Sequence, residues 1–226
     1  MPRTTLLPLL FLLTLATPPA LAGEKQVKLA ENAVRVLTEV MQAPDKSIPA
    51  DLLENAQAVA VVPDVIKAGF VLGGRHGTGL ISVRGEDNTW SNPSFISLTG
   101  GSIGFQAGVS STDVILVFRT RRGVDSIVHG KFTLGADASA AAGPVGRSAH
   151  AATDAQLKAE IYSYSRARGL FAGAALDGTV ITIDNDANQA VYGAGVTARR
   201  IFEGGVSNVP AAVVDFRDHL EEYGAR

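Results

Sequence analysis

Cysteine is absent from all 226 residues. That absence excludes disulfides, thiolate metal sites, a cysteine nucleophile and the lipid-modified cysteine of an exported lipoprotein. An excess of charge is also missing: 20 Lys and Arg stand against 22 Asp and Glu, a formal net charge of −2. Such a balance gives no support to bulk nucleic-acid binding, and any affinity for anionic lipid must come from a local basic patch. Histidine is scarce, and His76, His129, His150 and His219 lie far apart with no metal-ligand spacing. The Ser-x-x-Lys and His-Glu-x-x-His motifs do not occur. Asp184 and Asp186 at a strand end are a poor basis for a carboxylate pair. The expectation is therefore no cofactor, no metal and no enzyme. A hydrolase assembled from scattered residues stays open as the last of three readings, because triads converge only in three dimensions.

A long hydrophobic run occurs once, at the start. Arg3 precedes an apolar stretch from Leu6 to Leu15, and Ala20-Leu21-Ala22 fits the small-x-small cleavage rule. The run is too short, and too interrupted by Pro8, Pro18 and Pro19, to span a bilayer. Residues 1–22 are expected to be a cleavable export signal, removed before Gly23, leaving a periplasmic or secreted protein with net charge near −3. Residues 23–226 are expected to form one domain.

What is abundant is small. Glycine occurs 24 times and aromatics make up 6%, the mark of a sheet with many turns and close layer contacts. Glu24 to Met41 is the clearest helix: Val27, Ala30, Ala33, Val34, Leu37 and Val40 lie on one half of the wheel and Lys25, Lys28, Glu31 and Arg35 on the other, with Pro44 as the stop. Two readings stand, a helix lying on a membrane and a helix packed on a sheet. The mixed charges of the polar face favour the second. A short helix from Ile48 to Asn55, a strand from Ala56 to Val62 ended by Pro63, and a helical turn over Asp64–Lys67 follow.

The block Gly73-Gly74-Arg75-His76-Gly77-Thr78-Gly79 reads as a glycine-rich loop between strands. It lacks the Gly-Lys-Ser/Thr ending of a nucleotide loop, which leaves strand bends or an anion contact through Arg75 and His76. Trp90 is expected to anchor a core or interface. Three strands are expected over Phe95–Leu98, Ile103–Val109 and Asp113–Arg119, the last central in the sheet, followed by a short helix from Arg121 to His129. Arg119, Arg121, Arg122 and Lys131 form the densest basic cluster, read either as a solvated loop or as a headgroup patch. Leu134–Gly143 should be a strap tucked against another layer, and Arg147–Thr153 a polar turn region.

Glu160–Gly178 reads as two strands broken by Arg166-Ala167-Arg168-Gly169, with Asp177-Gly178 turning into a third strand over Thr179–Ile183. Asp184 to Asn188 spaces oxygen ligands like a calcium loop, but Gln189 and Gly195 fail the EF-hand positions; a helix N-cap is the better reading. A terminal helix opens after Asn208-Val209-Pro210, with Val213, Phe216, Leu220 and Tyr223 on one face.

Five blocks carry a resemblance: Ala68–Gly79, Trp90–Phe95, Gly101–Gly108, Ala141–Arg147, and Ser163-Tyr164-Ser165-Arg166 with Gly169-Leu170-Phe171-Ala172-Gly173 and Leu176-Asp177-Gly178. In this order they resemble the SYLF domain, a lipid-binding family also known as the Ysc-type actin-binding family. With the N-terminal helix they cover nearly all of residues 23–226. The resemblance implies a non-catalytic domain that binds lipid or a membrane surface, here as an exported member acting in the cell envelope on anionic phospholipid. Lys25, Lys28, Arg35, Arg75, His76, Arg119, Arg121, Arg122, Lys131, Arg166 and Arg168 are the candidate lipid contacts. Actin, which some relatives bind, is not expected as a partner outside the cytoplasm. The alternative is a periplasmic or secreted module that binds envelope proteins through its small-residue sheet face.

The expected fold is α+β: a strongly bent, mostly antiparallel sheet of roughly eight to eleven strands, curled toward a barrel, with amphipathic helices from the two ends packed on it. The expected parts are an N-terminal helix over 24–42, a sheet-rich body over 56–183 and C-terminal helices over 184–226.

Overall fold

The computed structural model describes residues 19–43, 48–69, 72–103, 108–145, 158–167 and 170–224. The fold is a curled, antiparallel-dominated sheet forming a half-barrel, with helices packed on it, as expected. Helices α1 (Pro19–Met41) and α2 (Ala50–Glu54) lead into strands β1 (Ala58–Gly69), β2 (Leu72–Val83), β3 (Ser94–Ile103) and β4 (Gly108–Phe118). After α3 (Arg121–Val128) come the short strands β5 (Lys131–Thr133) and β6 (Ala140–Ala142). Then follow β7 (Ile161–Ala167), β8 (Leu170–Gly173) and β9 (Val180–Ile183). Helices α4 (Asn185–Tyr192), α5 (Ala198–Phe202) and α6 (Ala211–Gly224) close the chain. The strand order is β5-β9-β3-β2-β1-β4-β7-β6, with β8 also on β7. Only the β6–β7 pair is parallel among the described strands.

Both faces of the sheet are covered, which explains why the central strands read as continuous apolar runs. Along β1, Val59 and Val61 face a core shared with α1, α2, α4 and α6. Ala58, Ala60 and Val62 face a second core closed by α3, β5 and the segment around Leu176. The most hydrophobic stretch, Val114–Phe118, lies in the interior strand β4 as expected.

Pro63 does not end its strand, and no helical turn follows it: β1 runs on to Gly69. Pro63 and Asp64 form a bulge, where the register shifts against both neighbours, so the missing proline N–H removes no ladder bond. Asp64 takes φ 50° there, donates its N–H to Asp113 Oδ1 (3.1 Å) and accepts from Ser111 Oγ (3.2 Å). The glycine block is likewise not a loop but part of β2, opposite the bulge. A Cβ at Gly79 would lie 2.2 Å from the Val61 carbonyl oxygen, and one at Gly77 2.9 Å from side-chain atoms of Val62 and Val65.

Of the expected strand Ile103–Val109, residues 104–107 lie outside the described residues; Ile103 ends β3 and Gly108 opens β4. Two further expectations are corrected. The Asp177-Gly178 turn does not make a hairpin of β8 and β9. The Gly178 N–H bonds to the Leu134 carbonyl and the Leu134 N–H to that of Thr179, so β9 pairs with β3 and β5 instead. Helix α1 begins at Pro19 rather than Glu24. The tight strap is present: Ala140–Ala142 pairs with β7, and a Cβ on Gly143 would fall 2.1 Å from the Tyr164 ring. The Arg147–Thr153 region lies outside the described residues.

Candidate functional site

Helix α1 is amphipathic because apolar residues recur at helical spacing, and the structure covers its apolar stripe. Ala30, Ala33, Val36, Leu37 and Val40 are fully buried against α6, α4 and the sheet. Lys25, Lys28 and Arg35 project from the opposite side and are exposed. Arg35 bonds Glu39 one turn on, at 3.4 Å. Arg166, from β7, reaches the same Glu39 and also bonds Asp113 at 3.0 Å, fastening α1 to the sheet. Burial pushes the Asp113 carboxyl up, against the pull of the Asp64 N–H, and depresses the Arg166 guanidinium. The same desolvation acts on both partners.

Beside the N-terminal half of α1 lies a groove of about 230 Å³ between Lys25, Lys28, Asn32, Thr78, Phe95 and Asp184. Gln26 Oε1 is buried next to it without a partner among the described residues. Asp184 is the N-cap of α4, accepting the Ala187 N–H at 3.0 Å, as the N-cap reading holds. Among the described residues no three His, Asp or Glu side chains converge to hold a metal. His129 and His219 each place Nδ1 on the carbonyl four residues back in their own helix; His150 lies outside the described residues.

Helix α3, which carries Arg121 and Arg122, packs on the other face of the sheet from α1, whereas Lys131 pairs with Thr182 and through it with Ser97, on the face that Phe95 shares with α1. Arg121, at the start of α3, donates to Gln57 Oε1 (3.3 Å) and to the Arg84 carbonyl (2.9 Å). Arg122 and Lys131 are exposed and Arg119 is half-buried. Arg75 and His76 stand on β2 with their side chains on opposite faces. Arg75 is half-buried, bonds the Gly101 carbonyl at 3.3 Å, and keeps Nε without a partner among the described residues. Desolvation lowers its pKa. His76 is exposed, and Arg168 lies outside the described residues. The structure thus divides the candidate contacts among α1, α3, β5 and the far end of β2.

Sequence reasoning missed several polar contacts that join distant segments. Arg84 stacks its guanidinium 4.6 Å from the Trp90 ring centroid and bonds the carbonyls of Leu53 and Ala56. Asn188, fully buried, accepts the Phe95 N–H and donates to Ser94 Oγ, tying α4 to β3. No local pattern announces such pairs, because the partners lie 93 and 94 residues apart.

The fold is an α+β half-barrel in which the edge strands β5, β6 and β8 are only three or four residues long. Residues 99–223, more than half of the chain, match the Ysc84 family, described as "Las17-binding protein actin regulator". The chain is 39% identical over 176 residues to LAS seventeen-binding protein 3 of Saccharomyces cerevisiae, covering 76% of this chain and 38% of the relative. It is 37% identical over 194 residues to Protein YSC84 of the same yeast (84% and 41% covered). To SH3 domain-containing YSC84-like protein 1 of Homo sapiens it is 32% identical over 203 residues (88% and 59% covered). The chain belongs to this family, the SYLF domain family. It spans less than two thirds of the length of these relatives. The strands at the middle of the sheet, β1 and β2, precede the segment that the family description matches.

Proposed function

We propose that this chain is a non-catalytic domain that binds anionic lipid at a membrane surface of the cell envelope. Residues 23–226 act as one exported unit once residues 1–22 are removed. Family membership carries the reading, since the SYLF resemblance implies lipid binding and extends over nearly all of that unit. Exposed cations on a protein of near-neutral net charge supply local attraction without a global field. No helix among the described residues is long and apolar enough to cross a membrane. Peripheral contact is therefore the mode proposed.

The test is co-sedimentation of Gly23–Arg226 with neutral and with anionic vesicles, at low and at high salt. Binding that requires anionic lipid and weakens with salt is expected. A folded protein that sediments with neither vesicle would sink the reading. A second reading rests on the relatives' names, which describe binding of a protein, Las17, and on the family's description as actin regulators. Here it becomes an envelope-protein interaction module, and capture of a protein partner without vesicle binding would favour it.

A further inference from the structure

The four long strands outrun the rest of the protein at one end. β1 stays paired with β2 to Gly69 and Gly73 and with β4 to Gly108, and β2 with β3 to Leu72 and Ile103. β7 joins β4 only from Asp113 inward, and β9 reaches β3 only as far as Thr99. Among the described residues, the strands beyond those rows have one another and no further layer of sheet.

Three large apolar side chains are left exposed among the described residues, and all three stand at this end: Ile66 at 53%, Val109 at 77% and Leu170 at 66%. Directly paired residues share a face, so Ile66 lies with His76 and Ser111, and Ala68 with Val109. Ile66 and Val109 are diagonal neighbours on that face. Lys67 pairs with Arg75 and Ser110 on the opposite face. Leu170 opens β8 opposite Ala167, one residue beyond the Asp113–Arg166 pair.

Along these strands the described residues at this end carry charge of one sign. From Val65 to Gly85 and from Asn88 to Thr112 the sequence contains no Asp or Glu, although the whole chain is net acidic. Lys67, Arg75 and His76 are the ionisable groups of the last strand rows. The first carboxylates met along these strands, Asp64 and Asp113, lie back at the bulge, held by Ser111 and by Arg166. β1 and β2 stay paired on both edges to the last described rows, so their backbone amides are satisfied within the sheet, whereas the outer edges of β3 beyond Thr99 and of β4 before Asp113 are open and keep to the hydrated headgroup layer. The apolar stripe of α1, in contrast, is buried in the core.

We propose that this end of the half-barrel, rather than α1, is the surface that meets an anionic phospholipid bilayer. Ile66 and Val109 enter the headgroup layer with Leu170 beside them, and Lys67, Arg75 and His76 contact lipid phosphates. The assignment rests on the lipid-binding reading above and deepens it.

The chain's lack of cysteine makes the experiment clean. Protein expressed as the full chain and purified in its processed form is mixed with vesicles of phosphatidylglycerol and phosphatidylethanolamine, or of phosphatidylcholine alone. Ile66→Asp with Val109→Asp should weaken binding to the anionic vesicles by tenfold or more at unchanged melting temperature, since both side chains are exposed. Lys67→Ala and Arg75→Ala should each weaken it roughly fivefold, less at high salt. Lys25→Ala with Lys28→Ala should change it by no more than about twofold. An environment-sensitive dye on Val109→Cys should shift to the blue on anionic vesicles, while the same dye on Arg122→Cys should not. Wild-type protein that ignores every vesicle overturns the lipid reading and this assignment together. Wild-type binding that survives Ile66→Asp with Val109→Asp, with no shift at Val109→Cys, overturns this assignment alone. A change of oligomeric state in that double variant, with vesicle binding intact, also overturns it and makes a second copy of the chain the occupant.

Discussion

Tyr164 shows how one small residue sets a layer spacing. Its ring is fully buried, stacks on Phe171 with centroids 5.2 Å apart and planes 9° apart, and lies across Gly143. Gly173 in turn sits so close to Gly143 that a Cβ there would be 2.2 Å from the Gly143 carbonyl oxygen. Gly143→Ala must displace backbone or ring and should cost about 1–3 kcal/mol, read as a lower midpoint in denaturant unfolding. An unchanged midpoint would mean that the strap moves freely. The same burial holds the Tyr164 phenol well above the ordinary tyrosine range, and burial does so for Tyr192, whose hydroxyl donates to the Pro93 carbonyl. A raised phenol pKa means that the native state keeps protons the unfolded chain would lose. The stability these two groups contribute is complete below the ordinary tyrosine pKa and declines as pH rises above it. In an alkaline titration followed by ultraviolet absorbance, Tyr164 and Tyr192 should ionise only as the protein unfolds. Tyr164→Phe with Tyr192→Phe should remove that late step.

At the scale of elements, α1 decides between two readings of one amphipathic pattern. The wheel alone fits a helix on a membrane or a helix on a sheet. Complete burial of Val36, Leu37 and Val40 in the core with α6 and β1 places it on the sheet. Glu39 adds a polar fastening through Arg166. Leu37→Ala should therefore destabilise the fold by about 2–5 kcal/mol, measured by thermal or denaturant unfolding. A Leu37→Ala protein as stable as the parent, with altered vesicle binding, would show that the helix leaves the sheet. The bulge in β1 is a second element whose two halves explain each other. Pro63 and Asp64 need a gap in the ladder, and Gly77 and Gly79 across from them leave room for it. The bulge adds to the local twist of the central strands.

For the whole molecule the distribution of charge matters more than its sum. Lys25 and Lys28 project from α1 and Arg122 from α3, helices that cover opposite faces of the sheet, and a planar bilayer can meet only one of these faces at a time. Of the variants Lys25/Lys28/Arg35→Ala and Arg121/Arg122/Lys131→Ala, at most one should weaken sedimentation with anionic vesicles. Arg35 and Arg121 already have partners within the fold, so the exposed lysines and Arg122 should dominate whatever loss appears. Equal losses from both variants would point to diffuse, unoriented attraction.

Local chemistry made the helices legible. The stripe of α1, the cap at Asp184, and Val213, Phe216, Leu220 and Tyr223 on α6 are patterns within a few turns, where spacing alone sets which side chains share a face. The family, the bent antiparallel sheet and the small-residue strap were legible for the same reason: their motifs lie along contiguous stretches. Which strand pairs with which was not. β9 leaves its sequence neighbour β8 for β3 and β5, and β1 continues through a proline, because ladders are completed by segments far away in the chain. The candidate surface divides the same way. Its basic residue types could be read directly, but their separation onto different faces could not. Nor could the exposure of Ile66, Val109 and Leu170 at one end of the sheet, since only the tertiary arrangement decides which apolar side chains find a core and which remain in water.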